Sequence, residues 1–239
     1  MANINRFPAV LESLDTVYVF DDFTGDQSDL FAVDTVSDTG TALVGDDVNG
    51  VVTLTPSDGT VADNDEVYLA TPNEIFKFGT NRELYARFRI KFSETSAGVG
   101  SVCAGFQNAV GADSIADNTG LPKTSGSFLG IYKTDADTYW KCGSAVNGTA
   151  TTTTSTRTST SADWQVLEVA CKDWDGVTMM ATFKVNGEYL KDSNGLVIRH
   201  AVPIASATEM QMFVGKKLGG ATNNDTLLLD YWYGAQTRV

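Results

Sequence analysis

The chain has 239 residues, of which 42% are hydrophobic and 20% charged, a composition typical of globular domains rather than of disordered or membrane-embedded proteins. It contains 17 Lys and Arg, 30 Asp and Glu and one His, and the formal net charge of −13 excludes a simple nucleic-acid binder, which needs clustered cations for phosphate contacts. The single His also argues against His-rich metal sites and most Ser-His-Asp mechanisms.

The negative charge is concentrated at the start of the chain. Residues 1–75 carry 15 acidic side chains and one basic side chain, a net −14, whereas residues 76–239 carry 15 acids and 16 bases, a net +1. We expect residues 1–15 to form an arm, with a short helix near Phe7–Leu14, and residues 16–239 to form a single domain. The acidic third predicts either solubilising surface loops or a face that docks a partner, and the candidate contact residues there are Arg6, Phe7, Asp21 and Asp22.

The hydrophobic pattern repeats every two residues, as in half-buried antiparallel strands. In Glu83–Phe92 the apolar side chains fall on one face, while Arg87, Arg89 and Lys91 fall on the other and predict a basic outer surface. In chain order, the other predicted strands are Val17–Phe23, Val51–Thr55, Glu66–Ala70, Val102–Phe106, Phe128–Tyr132, Thr138–Cys142, Trp164–Lys172, Val177–Val185, Glu209–Gly215 and Leu227–Tyr233.

Turn and edge signals complete an all-β pattern. Val177–Val185 runs into Asn186-Gly187, a dipeptide favoured in type I′ hairpin turns. The Thr/Ser-rich stretch Thr149–Ser161 predicts a solvated hairpin or an edge strand, because Thr packs well on a pleated surface. About a dozen short strands with regular turn signals predict an antiparallel β-sandwich of the jelly-roll type.

The ends of the chain and its cysteines indicate synthesis in a reducing host cytoplasm. The first residues lack the apolar run of a secretory signal, and no stretch reaches the roughly 18 apolar residues of a membrane span. Cys103, Cys142 and Cys171 are widely spaced, each within an apolar segment, and form no Cys-x-x-Cys motif. This pattern predicts three buried thiols rather than disulfides or a metal site.

The later part of the chain resembles laminin-G-like and concanavalin A-like jelly rolls. Trp164–Val169, followed by Thr178–Glu188 with its Asn-Gly turn, is similar to a paired-strand segment of those domains. Leu227–Tyr233 resembles the closing strand of laminarinase-type relatives, and Glu83–Phe92 an earlier strand, whereas residues 1–75 match only loosely. The resemblance implies the same β-sandwich fold, which hosts lectins, glycosidases, lyases and virion proteins.

Catalysis and metal binding are common in such relatives, but the residues of this chain give little indication of either. The Glu-x-Asp-x-x-Glu pattern of laminarinase-type enzymes is absent, and His200 lacks a recognisable partner motif, which predicts a structural or surface role for it and a protein that is not an enzyme. We therefore expect no cofactor and no metal ligands. Calcium stays open as an alternative, because Asp46, Asp47 and Asn49, or Asp63, Asn64 and Asp65, supply clustered oxygens without a complete loop motif.

Aromatic residues are the candidates for carbohydrate binding, because sugar rings stack on exposed aromatic faces. Trp174 lies in the turn-like segment between two predicted strands, and Tyr139 begins another strand, so both are candidate binding residues. Trp164 and Trp232 occupy core-facing positions of alternating strands and are predicted to pack in the interior.

The combined pattern resembles phage and viral structural proteins, in particular laminin-G-like capsid decoration proteins. The leading hypothesis is a non-enzymatic virion protein on the capsid surface, a homo-oligomer whose partners are the major capsid protein and further copies of itself, with no nucleic acid or membrane partner. In this hypothesis the basic face of Glu83–Phe92 pairs with acidic residues of a neighbouring copy. The alternative hypothesis is a carbohydrate- or receptor-binding module of the tail-fibre or adhesin type. A third hypothesis is a degenerate glycoside hydrolase or lyase.

Overall fold

The protein folds into two antiparallel β-sheets that pack face to face. The computed structural model describes residues 15–24, 32–36, 40–45, 50–94, 100–117, 119, 121–135, 137–220 and 224–238. Within these ranges there is no helix, and hence none that could cross a membrane. The strands are β1 (Thr16–Asp21), β2 (Ala32–Val36), β3 (Thr41–Gly45), β4 (Val51–Thr55), β5 (Glu66–Ala70), β6 (Phe76–Lys77), β7 (Glu83–Phe92), β8 (Ser101–Gln107), β9 (Phe128–Lys133), β10 (Tyr139–Val146), β11 (Thr149–Thr158), β12 (Gln165–Asp173), β13 (Thr178–Val185), β14 (Glu188–Tyr189), β15 (Arg199–Pro203), β16 (Glu209–Lys217) and β17 (Leu227–Thr237).

The strand order explains how distant parts of the chain meet. The first sheet has the order β14-β13-β12-β7-β17-β4-β3, with β1 beside β17 and β15 beside β13. The second sheet has the order β11-β10-β9-β8-β16-β5-β2, with β6 beside β16. Strands β12 to β15 lie in the first sheet, whereas the preceding strands β8 to β11 form an antiparallel series in the second. This arrangement confirms the predicted all-β sandwich.

The core lies between the sheets and follows the predicted alternation. Strand β7 has the bounds expected from its pattern, and every second side chain, such as Phe88 and Ile90, is buried. Trp140 and Trp232 are completely buried, and the Trp140 indole Nε1 donates a hydrogen bond to Gln165 Oε1 at 2.9 Å. The indole is therefore buried with its one polar group satisfied, as a core aromatic requires.

Most predicted strands lie within one or two residues of the observed bounds, apart from the ends of the longer ones. The alternating pattern did not predict four strands, β2, β3, β6 and β15. These strands are short and lie at or near sheet edges, where apolar and polar side chains need not alternate. The Thr-rich stretch is confirmed as an edge strand, β11, with mostly exposed side chains. The helix predicted at Phe7–Leu14 lies outside the described residues, and the arm at residues 1–15 stays a prediction.

The Asn186-Gly187 hairpin is confirmed. Both residues adopt positive φ, at 53° and 80°, as a type I′ turn requires. The Asn186 side chain also accepts a hydrogen bond from the Val166 amide at 2.8 Å, and the Asn186 amide donates to Val166 O at 2.8 Å. The hairpin β13–β14 is therefore fixed to β12 as well as closed on itself.

A long connection between β8 and β9 covers the outer face of the second sheet. The strap, as we call residues 108–127 where they are described, brings Val110 and Ile115 onto side chains that point away from the main core, including Cys103, Tyr132 and Phe213. Ile115 and Pro122 form an isolated bridge within it. As a result β8 and β9 are buried on both faces, unlike the strands of the first sheet.

Candidate binding groove on the first sheet

The outward side chains of the first sheet form rows that cross the strands. The register places residues of β1, β17, β7, β12, β13 and β15 side by side in what we call the central row, which consists of Tyr18, Ala235, Tyr85, Ala170, Thr182 and Arg199. A flanking row two residues further along the strands contains Phe20, Tyr233, Arg87, Glu168, Lys184 and Tyr189. On the other side, Glu83 and Lys172 are register partners.

A groove runs along the central row, because several residues of that row have small side chains and their neighbours have larger ones. Ala235, Ala170 and Thr182 form its floor, and Tyr85, Tyr189 and Tyr233 line its sides. The volume of the groove is about 310 Å³, close to the lower end of what small-ligand sites have. From β17 to β13 it crosses three strand spacings, or roughly 14 Å.

Tyr85 and Glu168 provide the best-ordered polar group in the groove. The Tyr85 hydroxyl donates a hydrogen bond to Glu168 Oε1 at 2.6 Å, and its ring packs against Tyr233 with centroids 5.9 Å apart. Burial, followed by the hydrogen bond to Glu168, raises the pKa of Tyr85, and burial raises the pKa of Tyr233 to about 12. Both phenols therefore stay neutral near pH 7, and the hydroxyl oxygen of Tyr233 is itself buried.

The rim of the groove carries charged groups. Lys172 Nζ lies 3.0 Å from one carboxylate oxygen of Glu83 and 3.1 Å from the other, so these two charges are paired. Lys184 Nζ lies 4.5 Å from the centre of the Tyr189 ring, a cation–π contact, and Tyr189 is 48% exposed. The groove thus combines an exposed aromatic face with donors and acceptors at its edge.

The two carboxylates of the groove are held apart. Glu83 and Glu168 lie on neighbouring strands, four residues apart along the strand direction, or roughly 13 Å between Cα positions. Each is tied to its own partner, Glu83 to Lys172 and Glu168 to Tyr85. Both carboxylates of the groove therefore already have a hydrogen-bond or ion-pair partner within it.

The predicted basic face of β7 points outward, but two of its cations have partners within the chain. Arg87 lies 3.8 Å from a Glu168 oxygen and over the Tyr231 ring at 5.7 Å. Arg89 pairs with Asp230 and lies 4.6 Å from the centre of the Trp164 ring. Lys91 is half-buried on the same face. Whether this face also contacts a neighbouring copy stays a prediction.

The prediction that Trp164 packs in the core is wrong. Trp164 is only partly buried and lies just before β12, under the guanidinium of Arg89. Counting back along β12, Trp164 falls on the same face as the outward residues Val166 and Glu168, so the alternation directs its side chain away from the core. Trp232, predicted in the same way, is confirmed as a core residue because it lies within β17.

The two aromatic candidates from the sequence lie on different sheets. Trp174 follows β12, two residues beyond Lys172, and is 68% exposed. Its turn is rigid, since Asp173 accepts hydrogen bonds from the Asn81 and Gly176 amides at 2.6 and 2.7 Å. Tyr139 begins β10 in the second sheet and is 42% exposed.

The acidic candidates near the start of the chain lie at the end of β1. Asp21 accepts a hydrogen bond from the Phe23 amide at 2.6 Å, and burial, the largest effect on this group, raises the pKa of its carboxyl. Asp22 accepts a hydrogen bond from the Thr24 hydroxyl at 2.9 Å. Arg6 and Phe7 lie outside the described residues, so their predicted role in partner binding stays a prediction.

The first calcium candidate, Asp46, Asp47 and Asn49, lies outside the described residues. In the second, the Asp65 carboxylate accepts a hydrogen bond from the Ala62 amide at 2.8 Å and is buried within its own turn. Within the ranges that the structure describes, no three His, Cys, Asp or Glu side chains are grouped as metal ligands would be.

A second cavity of about 330 Å³ lies on the second sheet beside the strap. Phe128, Tyr132 and Thr152 line it, and the Tyr132 hydroxyl and Thr152 Oγ1 are 3.1 Å apart. Phe128 and Tyr132 are only 1% exposed, because they pack edge to face and under the strap. The first sheet, which carries Tyr189 and Tyr18 in exposed positions, is therefore the better platform for a ligand.

Sequence reasoning missed most of the groove. The period-two pattern predicts that the side chains of Tyr85 and Thr182 point outward, as they do. This direction is all that the local sequence indicates about the groove. Tyr189, Arg199 and Tyr233 come from segments far apart in the chain, and their neighbours are set by strand register. No local pattern predicts that register.

Comparisons with known proteins show the fold. No protein-family profile and no curated protein matches the chain. Among solved structures, peanut lectin with a nine-residue peptide is 18% identical, with a TM-score of 0.52 and coverage of 93% of this chain and 97% of that chain. The carbohydrate recognition domain of Emp47p is 8% identical, with a TM-score of 0.57 and coverage of 93% and 95%.

An enzyme shares the same fold. The endo-β-1,4-glucuronan lyase from the fungus Trichoderma reesei is 15% identical, with a TM-score of 0.54 and coverage of 92% of this chain and 95% of that chain. Several of the similar structures are lectins, and one is described as a lectin-like defence protein. At these identities the likeness concerns architecture alone, and it confirms that the chain has the lectin-like, concanavalin A-like β-sandwich fold.

Proposed function

We propose that this protein is a non-enzymatic carbohydrate-binding module that holds a glycan in the groove across its first sheet. The observation that carries the proposal is the arrangement of Tyr85, Glu168 and Tyr189 around a floor of small residues. It supplies an exposed aromatic face, a fixed carboxylate and neutral phenols within one shallow site.

These groups match the two surfaces of a sugar ring. A pyranose has an apolar C–H face that packs on an aromatic ring, and hydroxyl groups at its edge that need hydrogen-bond partners. Glu168 accepts hydrogen bonds, Lys184 donates them, and the Tyr85 hydroxyl, which donates to Glu168, can accept one. Since Glu168 and Lys172 are already held by neighbours, binding requires little further ordering of these side chains.

Structural neighbours give independent support at the level of the fold. Several are lectins, and one is described as a carbohydrate recognition domain. The receptor-binding form of the proposal, a module in a tail fibre or adhesin, would use the same groove.

Tyr189→Ala tests the groove. On a glycan array and then by calorimetry with the responding glycan, we expect this variant to bind about fivefold more weakly, because a stacking contact contributes about 1 kcal/mol. Tyr139→Ala is the matched control, since Tyr139 is 42% exposed but lies on the second sheet. The proposal would be wrong if the wild-type protein bound no glycan. If only Tyr139→Ala or Trp174→Ala lost glycan affinity, the binding site would lie outside this groove.

The virion role predicted from the sequence remains a second proposal. Its support is the net charge of −14 on residues 1–75 and the exposed Tyr18 and Phe20 on β1, which together offer an acidic, partly apolar surface. Co-sedimentation with preformed capsids, and the oligomeric state in solution, test it directly. A monomer that does not bind capsids would contradict it without affecting the glycan proposal.

A further inference from the structure

The central row runs across the first sheet from one side to the other. At one end lies Tyr18 of β1, which is 61% exposed, and at the other lies Arg199 of β15, which is also exposed. The row therefore crosses six strands and five spacings, or roughly 24 Å. The groove itself is lined by residues of β17, β7, β12, β13 and β14, so the row extends past it on both sides, to Tyr18 and to Arg199.

Arg199 belongs to the groove face because of its register. His200, the next residue, points inward against Phe183, with ring centroids 5.0 Å apart. Strand alternation therefore directs Arg199 outward, where it pairs in register with Thr182 of the groove floor. Lys184 and Tyr189 adjoin this end of the groove in the flanking row.

The two cations at this end have no carboxylate partner in the part of the chain that the structure describes. Lys184 and Arg199 form no ion pair with any described residue, and Glu168, the register neighbour of Lys184, is bonded to Tyr85 instead. Lys172 is paired with Glu83. Across the rows that border the groove there are four cations (Arg87, Lys172, Lys184, Arg199) and two carboxylates (Glu83, Glu168). This face is thus locally positive although the chain carries a net charge of −13.

We propose that the groove binds an internal stretch of a linear acidic glycan, a chain of uronate-bearing sugars, with carboxylates at the end formed by Lys184, Tyr189 and Arg199. The inference rests on the proposed glycan-binding function and names its ligand class. A row of outward side chains that extends past the groove on both sides favours a chain over a terminal sugar. The two cations favour carboxylates, because a charged hydrogen bond to the ligand gives each of them an anionic partner that the described residues do not provide.

The decisive probes are two oligosaccharide series with the same backbone. Oligomers of β-1,4-glucuronic acid and cello-oligosaccharides differ only at C6, which is a carboxylate in the first and a hydroxymethyl group in the second. By calorimetry with the full-length protein at low salt, we expect the glucuronate tetramer to bind about tenfold more tightly than cellotetraose. The preference should shrink in about 1 M salt, where the Debye length falls to about 3 Å. We also expect affinity to rise from dimer to tetramer in both series.

A charge-neutral variant locates the effect. Lys184→Gln combined with Arg199→Gln should abolish the preference for the glucuronate tetramer, lowering its affinity about tenfold more than that of cellotetraose, which loses only the neutral hydrogen bond of Lys184. Arg157→Gln is the matched control, because Arg157 is an exposed cation paired with Glu188 at 3.4 Å outside the central row. Neither change alters a buried side chain, so the folded state should persist, and thermal unfolding of each variant checks this.

The outcomes separate this inference from the function on which it rests. Equal affinity for the two series, a preference that survives the double variant, or no gain from dimer to tetramer would overturn the inference while glycan binding stands. Binding of poly-glutamate as tight as that of the glucuronate tetramer would also overturn it, since charge alone would then suffice. If neither series nor any other glycan binds, both proposals fail together.

Discussion

His200, the one histidine of the chain, shows how a single residue serves the structure. Its ring lies between the sheets, with Nδ1 3.1 Å from Ser144 Oγ and Nε2 3.0 Å from Thr153 Oγ1, and it is 2% exposed. Burial lowers its pKa to about 4. The sequence predicted either a structural or a surface role for His200. The structure shows the structural one, because the ring is buried and bonded to hydroxyl groups of β10 and β11.

The lowered pKa predicts a loss of stability in mild acid. The unfolded chain protonates His200 near pH 6.5 and the folded protein only near pH 4, so stability falls as the pH drops between these values, by up to about 3 kcal/mol. Urea unfolding at pH 7, 5.5 and 4.5 measures this. His200→Gln should show a smaller loss, since carboxylate titration remains and the His contribution disappears. An NMR titration of this unique imidazole near pH 6.5 in the folded protein would contradict the prediction.

The strap is the element whose attachment most depends on buried charge. Lys217 Nζ lies 3.0 Å from Glu66 Oε2, 3.0 Å from Asp113 Oδ1 and 2.8 Å from Ile115 O, and it also pairs with Asp117. Burial opposes the charge of Lys217, but these carboxylates outweigh it and raise its pKa. Lys217, only 3% exposed, thus links the strap to β5 and β16, alongside the hydrogen bonds from the Asp113 and Ile115 amides to Glu66 and Tyr68.

Lys217→Met should destabilise the protein by about 3–5 kcal/mol, because it leaves the Glu66 carboxylate buried without its cation. The double variant Glu66→Gln, Lys217→Met should recover part of that loss. Asp117→Asn, at a side chain that is 50% exposed, should cost less than about 1 kcal/mol. Urea denaturation midpoints compare the three, and equal losses for Lys217→Met and Asp117→Asn would show that buried charge does not hold the strap.

At the scale of the whole molecule, the sandwich protects three thiols at once. Cys103, Cys142 and Cys171 are free and completely buried, and burial raises the pKa of each. Cys142 and Cys171 belong to the core between the sheets, whereas Cys103 lies beneath the strap. Their accessibility therefore reports two layers of the molecule.

We expect a thiol reagent such as DTNB to label none of the cysteines in the native protein and all three in denaturant. Slow native labelling should occur at the rate of global unfolding for Cys142 and Cys171. If the strap opens separately, Cys103 alone should react faster, and mass spectrometry of labelled peptides distinguishes the sites. Rapid native labelling of Cys142 or Cys171 would contradict the packing described for the core.

The sequence by itself determined the class of fold and the direction of most side chains. The alternation in Glu83–Phe92 predicted both the buried Phe88 and the outward Arg87, because successive residues of a strand point to opposite faces. Strand register, which sets Tyr85 beside Ala170 and Arg199 beside Thr182, joins segments far apart in the chain and leaves no local pattern. Only the tertiary structure could therefore decide that the outward residues form a groove, that Arg89 has Asp230 as its partner, and that the strap covers the second sheet.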